Sequence, residues 1–358
     1  MTGGAGDRLR GRAGAHPPCP PLPGGGAVTR RTHRRALLAL VILAATGLAL
    51  FLYSLATGEY GLSLGQVVAA LTGNSTGIES TIVLEWRLPR ALTALLFGAA
   101  LGLAGAIFQS LTRNPLGSPD IIGFDTGAYT GALVVMLVLQ IGGSAATATG
   151  AVIGGLLTAA AVYLLAYRGG MVGFRLIVVG IGVTAMLTSV NTWLLIHADT
   201  QQAVGAGFWG AGSLDRASLA QLGLAVWPLL VLFAAATLIT PGLRILELGD
   251  DAGAQLGVAV ERTRLAAIVV GVGLSALVTS FAGPIAFVAL SAPQIARRLA
   301  GAPGIAFLPS ALTGGVLLLA ADVIAQHALP SPVPVGLVTV VIGGGYFVWL
   351  LIAEGRRR

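Results

Sequence analysis

The sequence predicts an all-α polytopic membrane protein of about ten transmembrane helices, and three observations carry that prediction. Of its 358 residues, 55% are hydrophobic and only 10% charged, whereas ordinary soluble domains are about a quarter charged. Apolar runs of about 18 or more residues recur along the chain, each long enough to cross a bilayer as a helix. The arginines fall between these runs in a pattern that sorts the helix ends onto two sides. The 52 glycines suit such a chain, because small residues let helices approach closely in lipid.

Residues 1–35, including "GRAGAHPPCPPLPGGGAVTRRTHRR", are rich in Gly, Pro and Arg and read as a disordered basic tail. The first span is 36–56; its apolar core exceeds the roughly 7–15 residues of a signal peptide. The others are 91–111, 121–140, 147–167, 174–197, 221–240, 265–282, 285–300, 309–328 and 334–353. Ten spans put both termini on one side. With that side cytoplasmic, 18 of the 21 arginines lie inside and only Arg87, Arg90 and Arg216 lie outside, as the positive-inside rule requires.

Composition also excludes function classes. All 21 basic residues are arginine, so the chain has no Walker A lysine and no Schiff-base amine. ATP, if used, must bind another chain. Cys19 is the only cysteine, which rules out an intrachain disulfide or a thiolate metal site. His16, His33 and His197 have no partners at metal-ligand spacing, and no metal site is assigned. The net charge of +7 is scattered between apolar helices rather than striped on a face, which argues against nucleic acid. An intramembrane enzyme would need paired acids, metal ligands or a nucleophile with its base, and none is evident. A stand-alone ion-coupled transporter would need ionisable groups near mid-bilayer, where Asp125 and Asp322 are the only candidates.

The most specific segment is "RLPRALTALLFGAALGLAGAIFQSLTRNPLGSPDIIGFDTGA", 87–128. Pro89 suits a first helical turn, where its missing N–H costs nothing. Gly98 and Gly102 form a GxxxG with Gly105 one turn on, a flat face for a neighbouring backbone. "RALTALLFGAALGLAGAIF" (90–108) and "RLAAIVVGVGLSALVTSFAGPIAF" (264–287) each open on arginine and run in opposite directions, as in an inverted repeat. Residues 241–264 make a polar loop long for a membrane hairpin. Asp125 could line a path or cap the third span. Asp322, in the ninth span, reads as a structural hydrogen-bonding group. Trp209 could be an interfacial aromatic or part of a gate.

Together these segments, with "LELGDDAGAQLGVAVERTR" (246–264), "AGPIAFVALSAPQIAR" (282–297) and "LLLAADVIAQHALPSPVPVGLVTVVIGGGYFVWLL" (317–351), resemble the permease family of type II ABC importers. Members of that family take up iron–siderophores, haem and vitamin B12. The resemblance covers nearly all of residues 36–355 and implies an inverted-repeat permease fold. It implies a cytoplasmic ABC ATPase dimer that holds ATP and Mg, an extracytoplasmic substrate-binding protein, and a second permease copy or a related permease. This chain itself would carry no cofactor. Arg87 and Arg90, which on residue type alone read as anchors of a helix end, would dock acidic residues of the binding protein, joined by Gln326 and His327. Gln326 departs from the arginine that the family commonly has there. The loop at 241–264 would be the coupling loop, two short helices broken at Gly249 and Gly257. Leu248 and Leu256 would supply its apolar contacts, and Glu247, Asp250 and Asp251 its polar rim. Gly169, Gly170 and Gly173, between spans four and five, would let a cytoplasmic gate move. The expected function is passage of an iron(III)–siderophore-type chelate through a multi-pass protein of the cytoplasmic membrane, with haem or cobalamin as alternatives.

Overall fold

A computed structural model describes residues 25–75, 77–167, 173–301 and 304–355. The described chain is built from helices: α1 (Gly25–Ala56), α2 (Leu64–Leu71), α3 (Ile78–Thr81), α4 (Leu88–Thr112), α5 (Phe124–Leu133), α6 (Ser144–Ala166), α7 (Gly173–Ile196), α8 (Thr200–Gly210), α9 (Leu219–Leu246), α10 (Asp250–Gln255), α11 (Val260–Ala282), α12 (Val288–Ala300), α13 (Phe307–His327) and α14 (Val335–Gly355). Each of the ten predicted spans coincides with one helix. Seven are long and apolar enough to cross a membrane, while Phe124–Val138 and Val335–Trp349 are shorter apolar stretches.

Several boundaries differ from the sequence expectation, each for a local reason. The helix of the first span begins at Gly25 rather than 36, because the last proline is Pro23 and arginine is a good helix former. Residues 25–35 are therefore helical, and the rest of the expected tail, 1–24, lies outside the described residues. The second span does not start at Pro89. Ile78–Thr112 is one apolar helical rod whose turn at Ile82–Arg87 is π-wound, with Leu88 N donating to Val83 O. The wider turn absorbs the N–H that Pro89 lacks and the clash of its ring. Helix α9 likewise runs on through Pro228 and Pro241.

The span expected at 285–300 is shorter than a crossing. At 13 residues, α12 covers about 20 Å, against a hydrocarbon core of about 30 Å. It follows α11 through the non-helical stretch 283–287, much as α5 follows α4 through 113–123. The two broken stretches meet, since Phe287 N donates to Asp120 Oδ2 at 3.0 Å. Irregular backbone at membrane depth must satisfy its polar groups inside protein, and this bond does so. On α12, Gln109 Nε2 donates to Leu290 O at 2.9 Å, and Gln294 Nε2 donates to Gln109 Oε1 at 2.8 Å.

Helix α4 is the centre of the bundle, with 78% of its apolar window buried. Its glycine face works as the sequence predicts. A Cβ at Gly98 would strike the carbonyl of Gly314 on α13, one at Gly102 that of Ser310, and one at Gly105 that of Ala289 on α12. A second seam joins α5 to α6, where Gly131 lies against Gly150 and Gly154.

Because the obstruction at Gly102 is backbone, relief requires the helices to separate, at about 1–3 kcal/mol for overpacking. Gly102→Ala should therefore lower the thermal midpoint of the detergent-solubilised protein by several degrees. Gly182→Ala on α7, where a Cβ meets nothing within 4 Å, should leave it unchanged or raise it.

Candidate functional site

At one end of the bundle Arg90 is the hub. Its Nε lies 3.1 and 3.0 Å from Asp322 Oδ1 and Oδ2, its Nη2 is 2.9 Å from Oδ1, and its Nη1 is 2.6 Å from Asp215 Oδ1. Asp322 is completely buried, and the Arg90 side chain is 18% exposed. Gln326 Nε2 donates to Asp322 Oδ2 at 2.6 Å, and Ser213 Oγ donates to Asp215 Oδ2 at 2.7 Å. A buried carboxylate is costly unless paired and hydrogen-bonded, and Asp322 is both. The planar fork of arginine suits that bidentate grip.

Arg87 serves the same end differently. Its Nη1 donates to Leu55 O at 2.9 Å and its Nη2 to Tyr60 O at 2.6 Å. The first contact satisfies a carbonyl in the last turn of α1, where positive charge is favourable. Gly58 permits it, because a Cβ there would strike the Arg87 guanidinium. His327 Nδ1 lies 3.1 Å from Val323 O, with its ring edge-on to Tyr53. The four residues expected to dock a partner thus lie together around one cavity of about 430 Å³. Both arginines, however, are already engaged within the chain. Asp215 is the member sequence reasoning missed, although it follows closely on Trp209 in the chain.

At the opposite end the expected coupling loop contains one short helix, α10, rather than two. The flanking turns belong to α9 and α11, which extend further than the polar composition suggested. Gly249 (φ +120°) and Gly257 (φ +83°) do mark the breaks on either side of α10. Asp250, at the start of α10, bonds to Arg113 at the end of α4 and, at 2.6 Å, to Arg264 of α11. Glu247 Oε2 accepts from Ile305 N at 3.4 Å, and burial pushes its carboxyl above the usual carboxylate range. Glu247 and Asp250 therefore face inward and hold the loop in place. Asp251 is exposed, while Leu248 and Leu256 project with 71% and 61% exposure.

The remaining candidates are structural in their surroundings. Asp125 is buried and accepts from Ser275 Oγ at 2.5 Å and Thr279 Oγ1 at 3.2 Å, tying α5 to α11. It is no cap, since the cap position of α5 is Gly123, without a side-chain bond. Trp209 is 8% exposed and stacks on Tyr129 with centroids 6.0 Å apart, so its ring packs within the bundle. Gly173 abuts the backbone of Thr112, where α7 meets the end of α4. Gly169 and Gly170 lie outside the described residues. No cluster of three or more His, Cys, Asp or Glu able to hold a metal occurs among the described residues.

Comparison with known proteins gives a consistent result. A family model described as the FecCD transport family matches residues 42–353. The ferric enterobactin transport system permease protein FepG of Escherichia coli is 48% identical over 326 residues, covering 91% of this chain and 98% of that protein. The permease protein FepD of the same system is 36% identical, covering 94% and 99%. A solved ABC transporter assigned to the metal-chelate type, in an inward-facing conformation, superposes with a TM-score of 0.75 at 26% identity, covering 88% of this chain and 98% of that one.

Removing one partner of the buried pair leaves a charge without compensation, a loss of about 3–5 kcal/mol. Asp322→Ala should therefore destabilise the purified protein strongly. Asp322→Ala with Arg90→Leu should recover much of that loss, read as thermal midpoints in a double-mutant cycle. Additive single effects would show that the two side chains are not coupled.

Proposed function

The chain belongs to the FecCD transport family, and from that premise we propose that it is the membrane-spanning permease subunit of an ATP-driven importer for ferric siderophores. The substrate reading rests on its likeness to the enterobactin permeases FepG and FepD. Two distinct permeases carry the name of that one system, so this chain pairs with a related second permease rather than only with a copy of itself. ATP binding and hydrolysis belong to a separate cytoplasmic ATPase pair, a reading that the lack of a Walker A lysine in this chain supports.

The orientation follows from the arginines. The termini and α10 lie in the cytoplasm, and the Arg90 end faces outward toward a binding protein that delivers the chelate. The observation that carries the reading is the α10 knob. Two exposed leucines flank a helix whose inner side is clamped to α4 and α11 by Asp250. Exposed apolar side chains on a rigidly held loop are what a protein groove can seat. Nucleotide-driven closure of the ATPases moves α10 and, through Asp250, the helices beside it. Alternating access follows, and the binding protein supplies most of the selectivity.

Vesicles holding both permeases and the ATPase should concentrate a labelled ferric siderophore only when binding protein and ATP are both supplied. Concentrative uptake by the permease alone would defeat the reading. Leu248→Asp with Leu256→Asp should cut retention of the ATPase more than tenfold, in keeping with the loss of interface anchors of about 2 kcal/mol, while leaving the thermal midpoint of the permease unchanged.

A further inference from the structure

Helices α12 and α14 both run toward the inner face, and a shallow groove lies between them and α13. Its α12 wall is Val288, Ser291 and Ile295, and its α14 wall includes Thr339, Gly343 and Tyr346. Each set recurs every three or four residues and is therefore one stripe of its helix. One turn beyond Ile295 the first stripe reaches Arg298, and one turn beyond Tyr346 the second reaches Trp349. The two stripes meet there: the Arg298 guanidinium carbon lies over the Trp349 ring, 5.2 Å from its centroid. Trp349 in turn packs against Tyr346, with centroids 5.8 Å apart. An apolar groove thus ends, at the inner boundary, in a cation on an aromatic ring.

Other arginines gather at the same end of α12. Arg297 precedes Arg298 and gives one N–H to Gln294 Oε1 at 3.2 Å. Arg35 of α1 lies against Gly301, the residue that ends α12, with its Cδ 3.6 Å from where a Cβ of that glycine would stand. Among the described residues none of the three forms an ion pair, and Arg35 and Arg298 are exposed. Within the groove the hydroxyls of Ser291, a buried residue, and Tyr346 have no hydrogen-bond partner among the described residues. Arginines at an inner boundary orient a chain, and two in the last turn of α12 suit its dipole. Neither role calls for an apolar groove that leads to them, or for hydroxyls left without acceptors inside it.

We propose that this groove holds an anionic phospholipid of the inner leaflet, with its phosphate at Arg298 and one acyl chain between α12 and α14. Arginine grips phosphate oxygens through paired N–H donors, and Arg35 and Arg297 add positive charge beside it. Trp349 stands at the depth where indole rings meet headgroups. One turn deeper, the ester carbonyl of the lipid supplies the acceptor that the Tyr346 hydroxyl lacks. A zwitterionic head would bring its own cation toward three arginines, so a net negative head binds better. Leu337, Val341, Val348 and Ile352 are exposed and, at about 3.6 residues per turn, fall on the side of α14 opposite Thr339, Gly343 and Tyr346. That face is left for a second permease, and both neighbours can be held at once. Such a site needs only that the α12 end lies at the inner boundary, whatever chelate the chain carries.

The test titrates the full-length chain, purified and delipidated in mild detergent, and reads thermal midpoint together with bound lipid by native mass spectrometry. The probes are long-chain phosphatidylglycerol, phosphatidylcholine with the same chains, dihexanoyl phosphatidylglycerol and inorganic phosphate. Long-chain phosphatidylglycerol should raise the midpoint by several degrees and bind about fivefold or more tighter than phosphatidylcholine, the worth of about one arginine near an anionic surface. The short-chain lipid and phosphate, which carry the charge without the chain, should leave the midpoint unmoved. Arg298→Gln with Arg35→Gln should remove the preference for phosphatidylglycerol while the lipid-free midpoint stays the same. Arg298→Lys with Arg35→Lys should keep the preference. Arg262→Gln, which removes an exposed arginine of α11 at the same side of the membrane, should also keep it. Equal binding of the two long-chain lipids by the wild-type chain would overturn the proposal, and so would a preference that survives in the glutamine pair. A shift produced by phosphate alone would overturn it as well, because the site would then hold an anion and not a lipid.

Discussion

Inside a bilayer no water presses two apolar helices together, so helices must hold by close contact and by polar bonds. The contact between α4 and α13 meets that constraint, and the rest of the bundle is arranged around it. Gly98 and Gly102 on α4 lie on the backbone of Gly314 and Ser310 on α13, which fixes the register of an antiparallel pair. Arg90 is eight residues before Gly98, and Asp322 is eight residues after Gly314. Equal offsets of about 12 Å along two helices bring guanidinium and carboxylate to one level. The glycine seam thus delivers the buried ion pair. An added methyl in the seam would displace both.

The two ends of α4 are built alike from different parts. At its start, Arg90 binds Asp322 on α13 and Asp215 on the segment after α8. At its end, Arg113 binds Asp250, which also holds Arg264 of α11. The most buried helix is therefore tied by aspartates to elements far away in sequence, two at its start and one at its end. Asp250 gives α10 direct charged links to α4 and α11, and Glu247 gives the same loop a backbone bond at Ile305. A short helix that would otherwise be a solvated turn is held at fixed points while its leucines stay outside.

Much of this was legible in the sequence because it depends on composition and local geometry. Apolar run lengths marked ten helices, Gly98, Gly102 and Gly105 marked the close face, and Gly249 and Gly257 marked the breaks around α10. Helix ends were less legible. Pro89 suggested a boundary and the expected sixth span stopped at 240, yet a π-wound turn and a continuing apolar face carry the helices past both points. The shortness of α12 was misread, because Gln294, Arg297 and Arg298 make it less apolar than a full span, and only the fold shows where extended chain gives way to helix. Least legible were the pairings. Asp215 lies 125 residues from Arg90, and no spacing rule connects them. Asp322 was marked as structural by its position in an apolar run, but its partner had to be seen.

That asymmetry bears on how an arginine at a membrane surface is read. A guanidinium at a helix mouth has five donors, and whatever the fold consumes is withdrawn from a partner. Arg90 places three nitrogens on two aspartates, and Arg87 places two on carbonyls. The residue type and the motif say that charge is present at the surface, while the hydrogen-bond account says whose charge remains available.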